Sequence, residues 1–157
     1  MKQYDIFYLI RKWEGYSSSA YPDPATGGKP FTIGYGSTFY PDGTPVKQGD
    51  TITEQEANNL LAWYCTTQIQ LPKGTFNPKQ KIALYSLIYN IGSTAFNRSK
   101  CKRAIENQNW ITAYKEWTWT RADGKVMKGL VNRRNEEKAL FFEGLIDVSR
   151  LSQADDR

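Results

Sequence analysis

Glu14, Asp23 and Thr32 lie in a short stretch, WEGYSSSAYPDPATGGKPFTIGYGS, whose residue types could perform acid–base chemistry. The chain of 157 residues contains no histidine and two cysteines. The missing histidine excludes Ser-His-Asp and Cys-His nucleophilic catalysis, and two cysteines alone cannot complete the common zinc sites. Glycoside hydrolysis needs a proton donor, a second carboxylate and little else. We therefore expect carboxylate chemistry that requires no metal and no organic cofactor.

The two carboxylates occupy different surroundings. Glu14 lies between Trp13 and Tyr16 at the end of a predicted helix, and partial desolvation there would keep its carboxyl protonated near neutral pH. Asp23 has a proline on each side in a turn-rich stretch, where a carboxyl stays ionised more easily. The ordinary alternative is a solvated glutamate at a helix end and an aspartate that forms a turn. Spacing alone favours that alternative.

The first 50 residues predict one helix and then a small β-hairpin lobe. Apolar residues recur at helical spacing between Ile6 and Trp13, which predicts an amphipathic helix over residues 3–13. Gly15 would end this helix. Residues 16–50 are rich in Gly, Pro, Ser, Thr and Tyr, with PDPATGG and YPDGTP as turn signals and FTIGYG as a short strand.

The rest of the chain predicts helices. Thr53 and Glu56 form a capping-box pattern that would begin a long helix over residues 53–71. Asn77 would cap the next helix and Gly92 would end it. That helix is apolar nearly all round, which is typical of a buried central helix. Further helices are predicted over residues 99–107, 109–118 and the segment LVNRRNEEKALFFEG, which follows a turn-rich connector, RADGKVMKGL.

These elements predict an α+β fold that is mostly helical. Glu14, Asp23 and Thr32 can meet only if the hairpins fold back over the end of the first helix, beside a cleft between two lobes, and such clefts are common substrate sites. We expect a single domain over residues 1–157, with about 14–52 forming the β lobe, 1–13 and 53–144 forming the helical lobe and connecting helix, and 145–157 forming a polar tail.

Charge is unevenly distributed along the chain. Residues 1–60 carry five basic and seven acidic side chains, whereas residues 61–134 carry thirteen basic and three acidic ones. A basic half suits a polyanionic partner such as nucleic acid, an anionic membrane or a bacterial cell-wall polymer. A solvated basic face that aids solubility is equally consistent with the pattern.

The sequence predicts a cytoplasmic origin. The N-terminal stretch MKQYDIFYLIRKWEG is interrupted by charges and lacks a small-residue cleavage site, so it does not resemble a signal peptide. No stretch reaches the roughly 18 to 20 apolar residues of a membrane span, and we expect no stable membrane insertion. Cys65 and Cys101 are then expected to be free thiols, and Cys65, in the apolar run LLAWYC, is predicted to be buried.

Three separate motifs resemble the bacteriophage lysozyme (endolysin muramidase) family. They are WEG followed by AYPDPATGGKPFTIGYGST, then ALYSLIYNIGSTAFNRS, and finally GLVNRRNEEKALF. The resemblance runs in order from about residue 4 to 144. It implies a lysozyme-like fold, with a small β lobe and a larger helical lobe joined by a long helix. It also implies cleavage of the β-1,4 bond between N-acetylmuramic acid and N-acetylglucosamine in bacterial peptidoglycan, for host cell lysis.

The resemblance assigns roles to individual residues. Glu14 resembles the general acid, and Asp23 and Thr32 resemble the residues that hold the attacking water. This implies inversion at the anomeric carbon and carboxyl groups roughly 6.5 to 9.5 Å apart. Supporting roles fall on Tyr35, Tyr89 and Asn90, which resemble residues of the sugar cleft, and on Arg133, which resembles an arginine that pairs near the catalytic glutamate.

Each supporting role has an ordinary alternative. Tyr89 could be a core aromatic residue, Asn90 could cap a helix, and Arg133 and Arg134 could be surface charges. The expected partner is peptidoglycan, without nucleic acid, and the expected state is a monomer. An export-and-arrest segment is missing at the N-terminus, so the resemblance implies that the protein stays in the host bacterial cytoplasm until a holin-type pore releases it to the periplasm or cell wall.

Three other functions compete with the muramidase interpretation. A lytic transglycosylase would use Glu14 alone and yield an anhydro-sugar. A non-catalytic member would only bind cell wall. A basic nucleic-acid-binding domain would use the charge and the aromatic residues of EWTWTR, although no recognised binding motif supports it.

Overall fold

The computed structural model describes residues 5–151, apart from the side chain of Arg150. These residues are mostly helical and include two short antiparallel hairpins, which confirms the predicted α+β class. Residue packing divides the chain into two compact units, Met1–Gln70 and Leu71–Arg157.

The first unit contains both the β-hairpin lobe and the predicted long helix. Its strands pair antiparallel, with an irregular register between Ser17 and Tyr21. Its elements are α1 (Tyr8–Glu14), β1 (Ser17–Tyr21), β2 (Thr32–Gly34) and α2 (Glu54–Gln68).

Helix α1 starts later than the predicted residue 3. The N–H of Phe7 donates to Asp5 Oδ1 at 3.0 Å, and this local turn competes with helical hydrogen bonding. Residues 3 and 4 lie outside the described part of the chain. The helix ends where predicted, because Gly15 adopts φ 71° and its N–H donates to the Arg11 carbonyl at 3.0 Å.

The predicted strand FTIGYG is shorter in the structure, because β2 ends at Gly34 and the chain then turns through Gly36. Gly34 and Gly36 have φ values of 63° and 94°, where residues with a side chain are strained. Gly34 also faces α2 closely: a Cβ there would lie 3.0 Å from the Cβ of Ala57. A side chain at position 34 would therefore push the hairpin and this helix apart.

Helix α2 begins at its predicted cap. Thr53 Oγ1 accepts the N–H of Glu56 at 3.1 Å, which satisfies one of the unpaired donors at a helix start. The apolar face of the helix is buried and consists of Ala57, Leu60, Leu61 and Cys65. The buried thiol of Cys65 confirms its prediction.

The second unit is built around α3, which packs most extensively against α7. The predicted buried central helix is confirmed, since Ile82, Leu84, Leu87 and Ile88 are all buried. The elements of this unit are α3 (Pro78–Ile91), α4 (Ser93–Asn97), α5 (Lys100–Glu106), α6 (Trp110–Glu116), β3 (Arg121–Ala122), β4 (Lys125–Val126), α7 (Lys128–Phe141) and α8 (Val148–Leu151).

Helix α3 has the termini that the sequence predicts. Asn77 Oδ1 accepts the N–H of Gln80 at 2.9 Å, and Gln80 Oε1 accepts the N–H of Asn77 at 2.9 Å. This reciprocal pair is a full capping box. At the other end, the N–H of Gly92 donates to the Ile88 carbonyl at 2.8 Å.

Short elements of this unit were not predicted. Helix α4 follows α3 directly and buries one apolar residue, Phe96, so its five residues carry no periodic pattern. The connector RADGKVMKGL contains the β3–β4 hairpin, turned through Asp123 and Gly124 with positive φ. Helix α8 forms within the predicted polar tail, and residues 152–157 of that tail lie outside the described part.

Candidate functional site

Glu14 is the last residue of α1, and its side chain is half-buried. The chain turns sharply after it at Gly15 and enters β1 three residues later. The carboxylate thus projects from the point where the helix meets the hairpin.

Asp23 follows β1 in a tight loop that fixes its carboxylate. Its Oδ1 accepts the N–H of Ala25 at 2.7 Å, while its backbone N–H donates to the Gly28 carbonyl at 2.9 Å. The loop is closed further by Thr26 Oγ1, which donates to the Lys29 carbonyl at 2.9 Å. One carboxylate oxygen therefore holds the turn and orients the other oxygen of the same group.

Thr32 begins β2 directly opposite Tyr21 of β1. Residues opposed in this way project from the same face of an antiparallel pair. Burial and the nearby Glu14 carboxylate raise the pKa of Tyr21, whereas the Thr32 side chain acts to lower it. Tyr21 therefore lies near both Glu14 and Thr32.

Tyr35, predicted to contact substrate, is buried in the first unit. Its hydroxyl donates to Glu54 Oε1 at 3.2 Å, and its ring lies 5.6 Å from that of Tyr16. Burial, followed by the hydrogen bond to Glu54, raises the Tyr35 pKa. These contacts give Tyr35 a packing role, and direct contact with a sugar stays a prediction that its burial does not favour.

Arg133 and Arg134 are both buried, so the alternative that they are surface charges is wrong. They converge on Glu137, whose carboxylate is 0% exposed. Arg134 Nε and Nη2 donate to Oε1 and Oε2 of Glu137 at 2.6 and 2.9 Å, and Arg133 Nε lies 3.6 Å from Oε2. Opposite charges one turn apart on α7 thus form a buried ion cluster.

Two neutral donors complete the binding of the Glu137 carboxylate. Ser86 Oγ donates to Oε2 at 2.6 Å, and Trp117 Nε1 donates to Oε1 at 3.2 Å. Arg133 in turn donates to the Ser86 side chain and carbonyl at 3.2 and 3.1 Å. We call Ser86, Trp117, Arg133, Arg134 and Glu137 the Glu137 network.

Asn90 is exposed and is held by the same network. Arg134 Nη1 donates to Asn90 Oδ1 at 2.8 Å, and the helix is ended by Gly92 instead. The alternative that the Asn90 side chain is a helix cap therefore has no support. Tyr89 is half-buried on the same helix. The sugar-binding roles of both residues stay predictions.

The sequence interpretation missed Tyr21, Ser86, Trp117 and Glu137 as members of these sites. Tyr21 is placed by an irregular register between β1 and β2, which no spacing in the sequence marks. Arg134 and Glu137 are three residues apart in GLVNRRNEEKALF, a spacing that places side chains on one helix face. Ser86 and Trp117 come from distant segments, and no local spacing marks them.

The described residues form neither a metal-binding cluster nor a membrane-spanning helix. Within residues 5–151, no group of three or more His, Cys, Asp or Glu side chains is placed to hold a metal ion. None of the helices formed by those residues has the length and apolar character needed to cross a membrane.

Comparison with known proteins extends these findings. The phage lysozyme family model matches residues 11–137. The endolysin of Salmonella phage P22 is 35% identical over 137 residues, covering 85% of this chain and 92% of that endolysin. The endolysin of Bacillus phage PZA is 33% identical over 141 residues, covering 87% of this chain and 53% of that endolysin. The chain thus spans about half the length of the second relative.

Solved structures show the same fold. The endolysin from Escherichia coli O157:H7 phage FAHEc1 superposes with a TM-score of 0.74 at 28% identity, covering 94% of this chain and 96% of that one. A mutant of P22 lysozyme superposes with a TM-score of 0.69 at 31% identity, covering 89% of this chain and 97% of that one. These likenesses confirm the predicted lysozyme-like fold.

Proposed function

The chain belongs to the phage lysozyme family, which makes it a lysozyme-type peptidoglycan hydrolase, and we propose that it acts as an endolysin muramidase. The bond cleaved is the β-1,4 bond between N-acetylmuramic acid and N-acetylglucosamine in bacterial peptidoglycan. The observation that carries the proposal is the match of the phage lysozyme family to residues 11–137, a range that includes Glu14, Asp23 and Thr32.

Glu14 acts as the general acid in this proposal. Its proton passes to the glycosidic oxygen as the bond to the anomeric carbon breaks, and the N-acetylglucosamine 4-hydroxyl leaves. The sugar that remains has oxocarbenium character at the transition state. The support for this role is the position of Glu14, which lies half-buried at the end of α1 where the chain turns at Gly15.

Asp23 and Thr32 act on the water that attacks the opposite face of the sugar. The water's oxygen bonds to the anomeric carbon, and its proton passes to Asp23. The loop around Asp23, closed through Ala25 and Gly28, supports this role because it fixes the carboxylate before substrate arrives. Attack by a bound water predicts inversion and a carboxyl separation of roughly 6.5 to 9.5 Å.

Residues of the second unit take supporting roles. We assign sugar contacts to Tyr89 and Asn90, the latter oriented by Arg134, and an electrostatic role to Arg133. The excess of basic residues over 61–134 would hold the anionic wall, and this attraction should weaken as salt screens it. We further propose that the protein works as a monomer without a cofactor and reaches the wall through a holin.

Mass spectrometry of soluble fragments from purified peptidoglycan tests the proposal. We expect reducing muropeptides from the parent protein and none from Glu14→Gln. Asp42→Asn is the matched control, because it removes an exposed carboxylate that only orders a turn with Thr44, and it should release the same fragments as the parent. Anhydro-muropeptides from the parent would instead show a transglycosylase, and absence of any fragments would favour a binding module.

A further inference from the structure

Helix α5 and the turn before it carry a cluster of basic side chains. Residues 92–105 contain four basic residues and no acidic one. We call Arg98, Lys100, Lys102 and Arg103 the α5 cationic face. Lys102 is half-buried and the other three are exposed. The apolar side of α5 is buried, and helical geometry places Arg103 opposite that side, with Lys100 and Lys102 to its left and right.

No carboxylate neutralises this face. The ion pairs that residues 5–151 form include none of its four cations. The acidic residue nearest in sequence is Glu106, one turn after Lys102 and Arg103. Its Oε2 instead accepts the backbone N–H of Lys73 at 2.8 Å. The positive charge of the face is therefore available to a partner from outside the chain.

Local hydrogen bonds hold the backbone of this face and one of its side chains. Ser99 Oγ donates to the Phe96 carbonyl at 2.6 Å and accepts the N–H of Lys102 at 3.0 Å. Arg103 Nη1 donates to the Arg98 carbonyl at 3.2 Å. Most N–H groups of this guanidinium stay free to bind an oxyanion, and a side chain that is already held loses less entropy on binding.

The surroundings of the face favour oxyanions over nucleic-acid bases or lipids. Among the described side chains of residues 94–107, none is an exposed large apolar group. Bases therefore have no ring to stack on, and acyl chains have no apolar surface to meet. The helical cations, from Lys100 to Arg103, span only about 5 Å along the axis. A matching partner needs several anionic groups that lie close together, as in a short acidic peptide.

Peptidoglycan carries such groups on its peptides. Its N-acetylated sugars are uncharged, and the carboxyl group of muramic acid is consumed in the amide bond to the peptide, so the free carboxylates lie on the peptides. We propose that the α5 cationic face binds these peptide carboxylates. This inference rests on the proposed function, since it takes peptidoglycan as the substrate. Arg103 binds a carboxylate through paired N–H groups, and the flanking lysines contribute charge.

The triple variant Lys100→Gln, Lys102→Gln, Arg103→Gln tests the inference. It is compared with the parent in a Glu14→Gln background, which prevents cleavage, by fluorescence anisotropy of labelled soluble glycan chains that keep their peptides. We expect binding about 3- to 30-fold weaker at low salt, the loss of three exposed ion pairs, and a smaller difference as salt rises. Chains whose peptides an amidase has removed should bind both proteins equally, and Tm should not change.

The matched control is Arg121→Gln, Lys125→Gln, Lys128→Gln in the same background. It removes the same residue types and the same charge from exposed positions of the second unit, and it should bind both kinds of chain as the parent does. An equal loss in the control would show an effect of net charge alone and would overturn the inference. An equal loss on chains without peptides, or no loss at all, would also overturn it.

The products released by the parent with Glu14 intact report separately on the proposed function. Reducing fragments together with any of the overturning results would refute only the role of the α5 cationic face. Peptide-dependent binding without reducing fragments would refute the muramidase activity and leave the binding surface in place.

Discussion

Replacing Glu137 by glutamine should destabilise the protein strongly. Glu137 Oε1 accepts from Trp117 Nε1 and Arg134 Nε, and Oε2 accepts from Ser86 Oγ and Arg134 Nη2. Glutamine keeps the shape of the side chain but has only one carbonyl oxygen. Whichever way the amide is turned, its nitrogen replaces an oxygen that accepted two hydrogen bonds. It also removes the negative charge from beside two buried arginines, Arg133 being the second.

The magnitude follows from the burial of this cluster. Removing one partner of a buried ion pair costs about 3 to 5 kcal/mol, because the other charge is left uncompensated. For a chain of this size each kcal/mol lowers Tm by about 2 to 4 °C, so the variant should melt on the order of 6 to 20 °C below the parent. Helical circular dichroism during heating and urea unfolding measures both quantities.

Glu143→Gln provides the matched control. Glu143 Oε2 accepts from Lys79 Nζ at 2.7 Å, but its side chain is 60% exposed, and exposed pairs contribute about 0 to 1 kcal/mol. The two variants remove the same charge from pairs of similar length. Equal, small losses of stability in both would refute the reasoning that burial makes the Glu137 network a large contributor.

Other predictions concern backbone space, thiols and alkaline pH. Gly43→Ala should lower the free energy of unfolding by about 1 kcal/mol, because its positive φ alone is strained. Gly34→Ala should lower it by about 2 to 4 kcal/mol, because overpacking against α2 adds to that strain. The midpoints of urea unfolding compare the two variants. Burial raises the pKa of the Cys65 and Cys101 thiols to about 12, so a thiol-reactive dye at pH 8 should label neither until the protein is unfolded, and rapid labelling would contradict their burial. Burial and a hydrogen bond to the Asp50 carboxylate raise the pKa of Tyr40 from 10.0 to about 12. The stability that this tyrosine contributes is therefore complete below pH 10 and is lost as pH rises towards 12. Between these pH values, the free energy of unfolding should fall less in Tyr40→Phe than in the parent.

Elements with local signals were predictable from the sequence. Thr53 and Asn77 are helix caps because their side-chain oxygens reach the N–H groups three residues on, a relation that spacing alone encodes. The start of α1 was not predictable in the same way. The apolar periodicity begins at Ile6, but the Phe7 N–H donates to the Asp5 side chain in a local turn, and the helix begins only after it. The strands β3 and β4 have two residues each, which is too short for an alternation of apolar and polar residues to be recognised in the sequence.

The candidate site was predictable only in part. The resemblance identified Glu14, Asp23 and Thr32 as candidates, and the structure pairs Thr32 with Tyr21 across the β1–β2 hairpin. Tyr21 escaped notice because its placement depends on an irregular register between two strands. The burial of Arg133 likewise depends on Ser86, 47 residues away in the sequence, and long-range pairing of that kind leaves no periodic trace.

The central claim is that Glu14 protonates the leaving oxygen while a water held by Asp23 and Thr32 attacks from the opposite face. Proton NMR of the anomeric signals during cleavage of a soluble peptidoglycan fragment tests it most directly. The account predicts that the new reducing end appears first as the α-anomer and then mutarotates. A reducing end that appears first as the β-anomer, or a product with no reducing end, would contradict it.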